Sequence, residues 1–183
     1  VSLADSVERG RNGGAVYFAL SKTGLLLYAS TGDRHQLVWV DRAGAATPIG
    51  TDRVAFRQPR LSPDGTRIAV AVNDETRRSD IWIYDAARGT KNRLTTERHN
   101  LEPTWTPDGA RITFSDGRGI AELAADGSGT IERLLPAETT RGLLAAGTAA
   151  YPSSWSSDNK NLLFQADAVD MWLLSRGASA PRP

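Results

Sequence analysis

The side chains able to run acid–base or nucleophilic chemistry are few and scattered. His35 stands beside Asp33 and Arg34, His99 stands beside Arg98 and Asn100, and the chain has no other histidine. A serine nucleophile needs a base within hydrogen-bond reach. In α/β-hydrolases that serine sits in a Gly-x-Ser-x-Gly elbow, and no such pentapeptide occurs here. No His/Asp cluster has zinc spacing. With no cysteine in the chain, thiolate ligation and a disulfide framework are both excluded. The Asp/Asn-rich turns do not alternate ligands along one segment as a calcium loop must. The glycines at 10, 13 and 14 mark a turn rather than a phosphate cradle between strand and helix. A glycosidase needs two facing carboxylates, and Glu102 has no acid at the matching place in the other repeats described below. No catalytic residue, metal or cofactor is expected, and both histidines read as surface-loop residues.

Bulk properties narrow the partners. The net charge is +1, too small a field to gather nucleic acid or anionic lipid. No apolar run approaches the roughly 20 residues of a membrane-spanning helix, so no direct membrane insertion is expected. The chain opens on Val1 without an initiator Met or a signal-like segment, which reads as a piece or processed form of a longer protein.

The elements that must position any site come from a repeated phrase. Ser62-Pro63-Asp64-Gly65-Thr66-Arg67-Ile68-Ala69 returns as Thr106-Pro107-Asp108-Gly109-Ala110-Arg111-Ile112-Thr113. Weaker copies start at Ser21 and Ser156, and each copy follows an apolar or aromatic residue, namely Leu20, Leu61, Trp105 or Trp155. Pro presets φ, Asp accepts backbone N–H groups and Gly takes positive φ, so the phrase predicts a tight hairpin between two strands. The turn glycines are 41 and 44 residues apart, and Asn159 follows Gly109 by 50. Trp39 and Trp82, on the predicted third strands, are 43 apart. Four strands per repeat at such a period is the signature of propeller blades. The expected fold is therefore all-β, a β-propeller of about four four-stranded antiparallel blades over 15–50, 57–96, 101–136 and 148–176 in one domain. The last repeat stops near Arg176, leaving 178–183 as a frayed tail. Residues 141–146 are expected as a loop or short helical turn. Either residues 1–9 supply a closing strand and complete a four-bladed ring, or the chain is an open arc, part of a larger propeller. The open arc is the favoured reading. It leaves sheet edges free for a homodimer.

Leu61, Trp105 and Trp155 are expected to fill the space between neighbouring blades, and Trp39 and Trp82 to pack on adjacent sheets. Asp80 and Asp170 each precede a tryptophan by two residues. They read as hairpin-loop acids serving backbone N–H groups, with a shared ligand or metal position as the competing reading.

The pattern resembles the TolB-type β-propeller repeat. The second unit carries it most fully, in Leu61-Ser62-Pro63-Asp64-Gly65, Asp80-Ile81-Trp82 and Arg93-Leu94-Thr95. The third matches from Trp105 to Gly109 and at Arg133-Leu134, and the fourth at Trp155-Ser156 and Asp170-Met171-Trp172. Ser157 and Asn159 replace the fourth unit's Pro and Gly, and the first unit's turn is degenerate. Such repeats occur in TolB, in the propellers of prolyl-oligopeptidase-like peptidases and in bacterial serine/threonine kinases. The run from Leu37 to Gly44, followed by Pro59 to Gly65, is most similar to the kinase group. The resemblance implies a binding module with a protein or peptide partner and an extracytoplasmic location, or alternatively a gating propeller in a peptidase.

In a propeller the segment leading into each innermost strand reaches the channel mouth. Registered on the turn glycine, the equivalent positions are Tyr17, Gln58, Glu102 and Pro152, with Tyr151 adjacent and Arg57, Arg60, His99 and Asn100 flanking. Tyr17, Gln58, Arg60, His99, Asn100, Glu102 and Tyr151 are the candidate ligand-binding residues, weighed against solvated loop positions. Glu75, Arg77 and Arg78 read as a solvated hairpin tip.

Overall fold

The computed structural model describes residues 18–21, 24, 26–29, 36–76, 78–96, 99–117, 119–136, 139, 149–166, 170–178 and 180–182. The predicted closing strand at 1–9 and the helical turn at 141–146 lie outside the described residues.

Strands β1 (Phe18–Leu20), β2 (Leu26–Ala29), β3 (Leu37–Val40) and β4 (Ala46–Pro48) form the first antiparallel sheet in that spatial order. Strands β5 (Ala55–Leu61), β6 (Arg67–Asn73), β7 (Ser79–Asp85) and β8 (Lys91–Arg93) form the second. The third holds β9 (Leu101–Trp105), β10 (Arg111–Ser115), β11 (Ile120–Ala124) and β12 (Glu132–Leu135). The fourth has β13 (Ala150–Trp155), β14 (Asn161–Ala166) and β15 (Asp170–Ser175). The fold is an all-β propeller of sequential antiparallel blades. Its first strands, β1, β5, β9 and β13, pack against one another in chain order, and among the described residues blades 4 and 1 share no packed interface.

The tail departs from the expectation of fraying. A turn closed by Ala178 N–H on the Ser175 carbonyl sends the chain back. Leu173 and Arg182 then exchange both backbone bonds, at 2.7 and 2.9 Å. Arg182 occupies the place beside β15 that an outer strand takes in the other blades.

The repeated phrase builds the same staple three times. Ser62 Oγ donates to Asp64 Oδ1 at 2.5 Å, Thr66 N–H reaches the same oxygen, and Arg67 N–H reaches Ser62 Oγ. Thr106 and Asp108 repeat this at 2.6 Å, as do Ser156 and Asp158 at 2.6 Å. The fourth copy survives without Pro or Gly because Asn159 takes φ 58°, a conformation Asn tolerates better than most residues. The Ser62 hydroxyl and the Thr66 amide hold the Asp64 carboxyl down to about 2. Its pKa is lower folded than unfolded, so the stabilisation is complete above the usual Asp range and fades as pH falls toward 2. Asp64→Ala should cost about 1 kcal/mol near neutral pH, at the modest end for hydrogen bonds to a charge because the group is solvent-screened. In urea melts the gap from wild type should narrow from pH 7 to pH 3; a constant gap would contradict this account.

The core is three slabs, one between each pair of neighbouring sheets. Strand β6 is buried on both faces: Ile68 and Val70 turn toward blade 1, Ala69 and Ala71 toward blade 3. The two alanines leave room for Trp105, Ile112 and Phe114, so small faces large across that interface. Indole N–H groups tie the slabs: Trp39 donates to the Ala86 carbonyl, Trp105 to the Arg60 carbonyl and Trp155 to Thr113 Oγ1. Trp105 and Trp155 therefore sit between blades as expected. Trp39 and Trp82 do not repeat one position. Trp39 lies two residues before the turn opened by Asp41, and Trp82 lies three before the turn opened by Asp85. A one-residue offset reverses the face of a strand, so the two indoles approach the blade 1–blade 2 slab from opposite sheets.

The pleat also fixes what the end sheets expose. Ala19 packs inward, while Phe18 and Leu20 on the other face are 46% and 63% exposed. At the far end Met171 is 44% exposed on the face of β15 opposite Trp172 and Leu174.

Candidate functional site

Strands β5 and β9 carry matching bulges. Gln58 and Pro59 together face one residue of β6, because Arg57 pairs with Ala71 and Arg60 with Ala69. Glu102 and Pro103 face one residue of β10, between the Leu101–Ser115 and Thr104–Thr113 pairs. Proline has no N–H to lose from a ladder, which suits it to a bulge. The residue before it takes the strain: Gln58 has φ 49° and Glu102 φ 50°. A non-glycine residue held there costs on the order of 1–3 kcal/mol and collects where surrounding structure or function requires it.

The two bulges bring the candidate side chains together. Gln58 Nε2 donates to Glu102 Oε1 at 2.6 Å, and Arg60 Nη2 lies 3.9 Å from Glu102 Oε2. Gln58 is 6% exposed, and among the described residues its buried Oε1 has no hydrogen-bond partner. Burial raises the Glu102 carboxyl above its ordinary 4.5, partly offset by the Arg60 charge and the Gln58 hydrogen bond.

The other candidates are placed differently. Asn100 is buried and its Nδ2 donates to Asp80 Oδ1 at 3.1 Å, away from the Gln58–Glu102 pair. His99 is exposed, with φ 125°, and its backbone N–H meets the Ser79 carbonyl. Tyr151, on the inner strand β13, pairs with Gln165 of β14. The bulge of β13 falls later, between Pro152 and Ser154, and Thr104 Oγ1 reaches the Ser153 carbonyl at 3.1 Å. Tyr17 lies outside the described residues.

Asp80 is not a hairpin-loop acid. It is 5% exposed and gathers Arg93 Nη2 at 2.5 Å, Thr95 Oγ1 at 3.0 Å and Asn100 Nδ2. Thr95 Oγ1 in turn accepts the Ile81 N–H, so Asp80 fastens the outer strand and the next blade's lead-in to β7. The loop role falls to Asp74, which accepts the Thr76 and Arg78 amides. Blade 3 repeats the outer-strand clasp with Arg133 on Asp116. Asp170 is exposed at the start of β15.

One charged cluster was not anticipated. Glu122 is fully buried, yet it accepts from Arg111 Nε at 2.6 Å, Thr113 Oγ1 at 3.1 Å and both terminal nitrogens of Arg176 at 3.1 and 3.2 Å. Arg176 stacks over Trp155 at 4.3 Å and also bonds Asn159 Oδ1. The available signal was an acid inside the apolar run Ile120-Ala121-Glu122-Leu123. The cluster clasps blade 4 to blade 3.

The inner-edge pair offers acceptors and a carboxylate but no nucleophile–base arrangement. Among the described residues no group of three or more His, Asp and Glu converges as a metal site. A group whose folded pKa is raised stabilises below its unfolded value and loses that stabilisation as pH rises through the folded pKa. Glu102→Gln should therefore remove a penalty: the variant should match or exceed wild-type stability at pH 7, and its advantage should shrink toward pH 4. Urea melts across that range check the sign, and a variant less stable at pH 7 than at pH 4, relative to wild type, would refute it.

No family model matches the chain. An uncharacterized peptidase of Bacillus subtilis, YuxL, is 39% identical over 75 residues, which is 37% of this chain and 11% of that protein. The putative TolB of Agrobacterium tumefaciens superposes with TM-score 0.68 at 20% identity, over 92% of this chain and 64% of that one. A puromycin-hydrolyzing peptidase of Mycobacterium tuberculosis superposes with TM-score 0.65 at 15% identity, over 98% of this chain and 31% of that one. The chain thus spans less than two thirds of each of these proteins.

Proposed function

We propose that this chain, whose fold is that of the TolB-type β-propellers, is a non-catalytic binding module that takes a protein or peptide partner at its inner-strand edge. The observation that carries the reading is the pair of strained positions, Gln58 and Glu102, joined at 2.6 Å across two consecutive inner strands. The bulges set the left-handed backbone; that they carry glutamine and glutamate rather than glycine is what favours a preorganised recognition surface. The test is a peptide-array and pull-down experiment using cell and envelope extracts. Wild type should retain a defined partner, and a double substitution at Gln58 and Glu102 should release it. Failure of the wild-type chain to retain any peptide or protein would sink the proposal.

A second reading is supported by the 39% identity to the Bacillus subtilis peptidase: a substrate-gating propeller of a prolyl-oligopeptidase-like enzyme. The flanking coding sequence would then encode an α/β-hydrolase with a Gly-x-Ser-x-Gly elbow, and this chain alone would turn over no peptide.

The exposed Phe18, Leu20 and Met171 on the two end faces also favour self-association of this chain. Light scattering should show a dimer whose fraction drops with Leu20→Asp; a monomer at all concentrations would remove this part of the proposal.

A further inference from the structure

We propose that Gln58 and Glu102 form a receptor for a primary ammonium group, supplied by a peptide N-terminus or a lysine side chain. The inference rests on the binding-module reading and gives it a ligand chemistry.

Three observations converge on that chemistry. Among the described residues Gln58 Oε1 is a buried acceptor with no donor, and leaving it so costs about 1–3 kcal/mol. The amide that carries it is bonded to Glu102 through Nε2 at 2.6 Å, so the orphan oxygen stands close to a carboxylate. Glu102 itself is under-used: Oε1 takes the Gln58 amide, while Oε2 has Arg60 at 3.9 Å, too far for a hydrogen bond. The site therefore presents an unfilled acceptor beside a carboxylate whose countercharge, Arg60, stands 3.9 Å away, outside hydrogen-bond reach. An ammonium has three donors and no acceptor. A hydroxyl satisfies one acceptor and leaves the carboxylate with only the more distant Arg60 charge. A carboxylate is repelled by Glu102, and a guanidinium brings five donors to a site with fewer open acceptors. The Glu102 side chain is 26% exposed, which leaves an approach from the inner edge.

The backbone supports a built site. Glutamine and glutamate stand at the two left-handed positions, where glycine or asparagine would carry the conformation at lower cost. The two bulges aim these side chains at each other from separate blades, so the pair exists only when blades 2 and 3 are docked.

The test is an NMR titration of the folded chain at pH 7, following the Gln58 side-chain amide. n-Butylammonium is the probe, and tetramethylammonium, which has the charge without a donor, is the control. n-Butylammonium should shift the Gln58 resonance saturably and tetramethylammonium should not. Glu102→Gln should weaken the response about tenfold or more, the usual scale for a hydrogen bond to a charged group, while keeping the Gln58 bond and a melting temperature at or above that of wild type. Gln58→Leu is the second variant, followed through the Glu102 backbone amide. It should also weaken the probe; losing the orphan acceptor and losing the Glu102 hydrogen bond act on stability in opposite directions, so its melt serves only to confirm folding. A free-amine dialanine against its N-acetyl form, and an acetyl-lysine amide beside them, decide between terminus and side chain as the source.

No shift with n-butylammonium, an equal shift with tetramethylammonium, or an undiminished shift in both variants would overturn the proposal. Should n-butylammonium bind while no peptide or protein partner is found, the ammonium site stands and the partner reading falls. Should a partner bind equally to wild type and Glu102→Gln with the probe silent, the ammonium site falls and the binding module stands.

Discussion

Alanine at Glu122 should remove about 3–5 kcal/mol of stability, the usual cost of breaking a buried ion pair from one side. The carboxylate has no solvent contact and is surrounded by Arg111, Arg176 and Thr113. Removing it leaves two guanidinium groups facing a cavity, and Trp155 loses the firm seat of the cation stacked on it at 4.3 Å. Glu122→Gln keeps the volume and part of the hydrogen bonding and should cost less. Arg176→Ala should approach the Glu122→Ala loss, and the double variant should cost less than the sum, because each single change strands the other's charge. Urea melts of the four proteins close the cycle. Additive costs would show that the two residues do not act as a pair.

Alanine at Gly119 should be comparably severe, about 3–5 kcal/mol, from two sources. The φ of +150° belongs to a region that only glycine occupies freely. A Cβ there would also fall far inside contact distance of the Leu135 carbonyl oxygen on β12, with Leu135 C and Pro136 C close behind. Backbone cannot yield as a flexible side chain does. Gly129 provides the control: its φ is +78° and a Cβ would meet nothing within 4 Å, so alanine there should cost only about 1–2 kcal/mol. Thermal melts separate the two, and equal losses would show that strain, rather than the β11–β12 approach, sets the Gly119 requirement.

The turn phrase was readable because its chemistry is local. Ser62, Asp64 and Arg67 lie within six residues and bond one another, so type and spacing suffice. The Ser–Asp bond inside the turn was not anticipated, although it explains why Ser156 and Asp158 keep the shape after Pro and Gly are gone. The inner-edge register was also readable, since counting back from the turn glycine reached Gln58 and Glu102. What the count does not contain is the backbone left-handedness before each proline. That depends on pairing with β6 and β10, set by residues further along the chain. Asp80 was misread because its partners Arg93, Thr95 and Asn100 are 13 to 20 residues away and only the folded blade gathers them. Glu122 and Arg176 are 54 residues apart in different blades, beyond any periodicity argument. Trp39 and Trp82 show the opposite hazard: a tidy 43-residue spacing suggested equivalence, and a one-residue offset within the strand, before the following turn, reversed it.

The division of the core into three slabs has a thermodynamic consequence. Each sheet buries its apolar residues against its neighbours only, so the described blades behave as a short one-dimensional array of coupled units. Blades 2 and 3 are held from both sides, and blades 1 and 4 from one. Amide protection should fall from β6 and β10 outward, and the Glu122–Arg176 clasp sets how far it falls at blade 4. Weakening that clasp should split one unfolding transition into two, with blade 4 leaving first while the Gln58–Glu102 pair, which spans blades 2 and 3, stays intact.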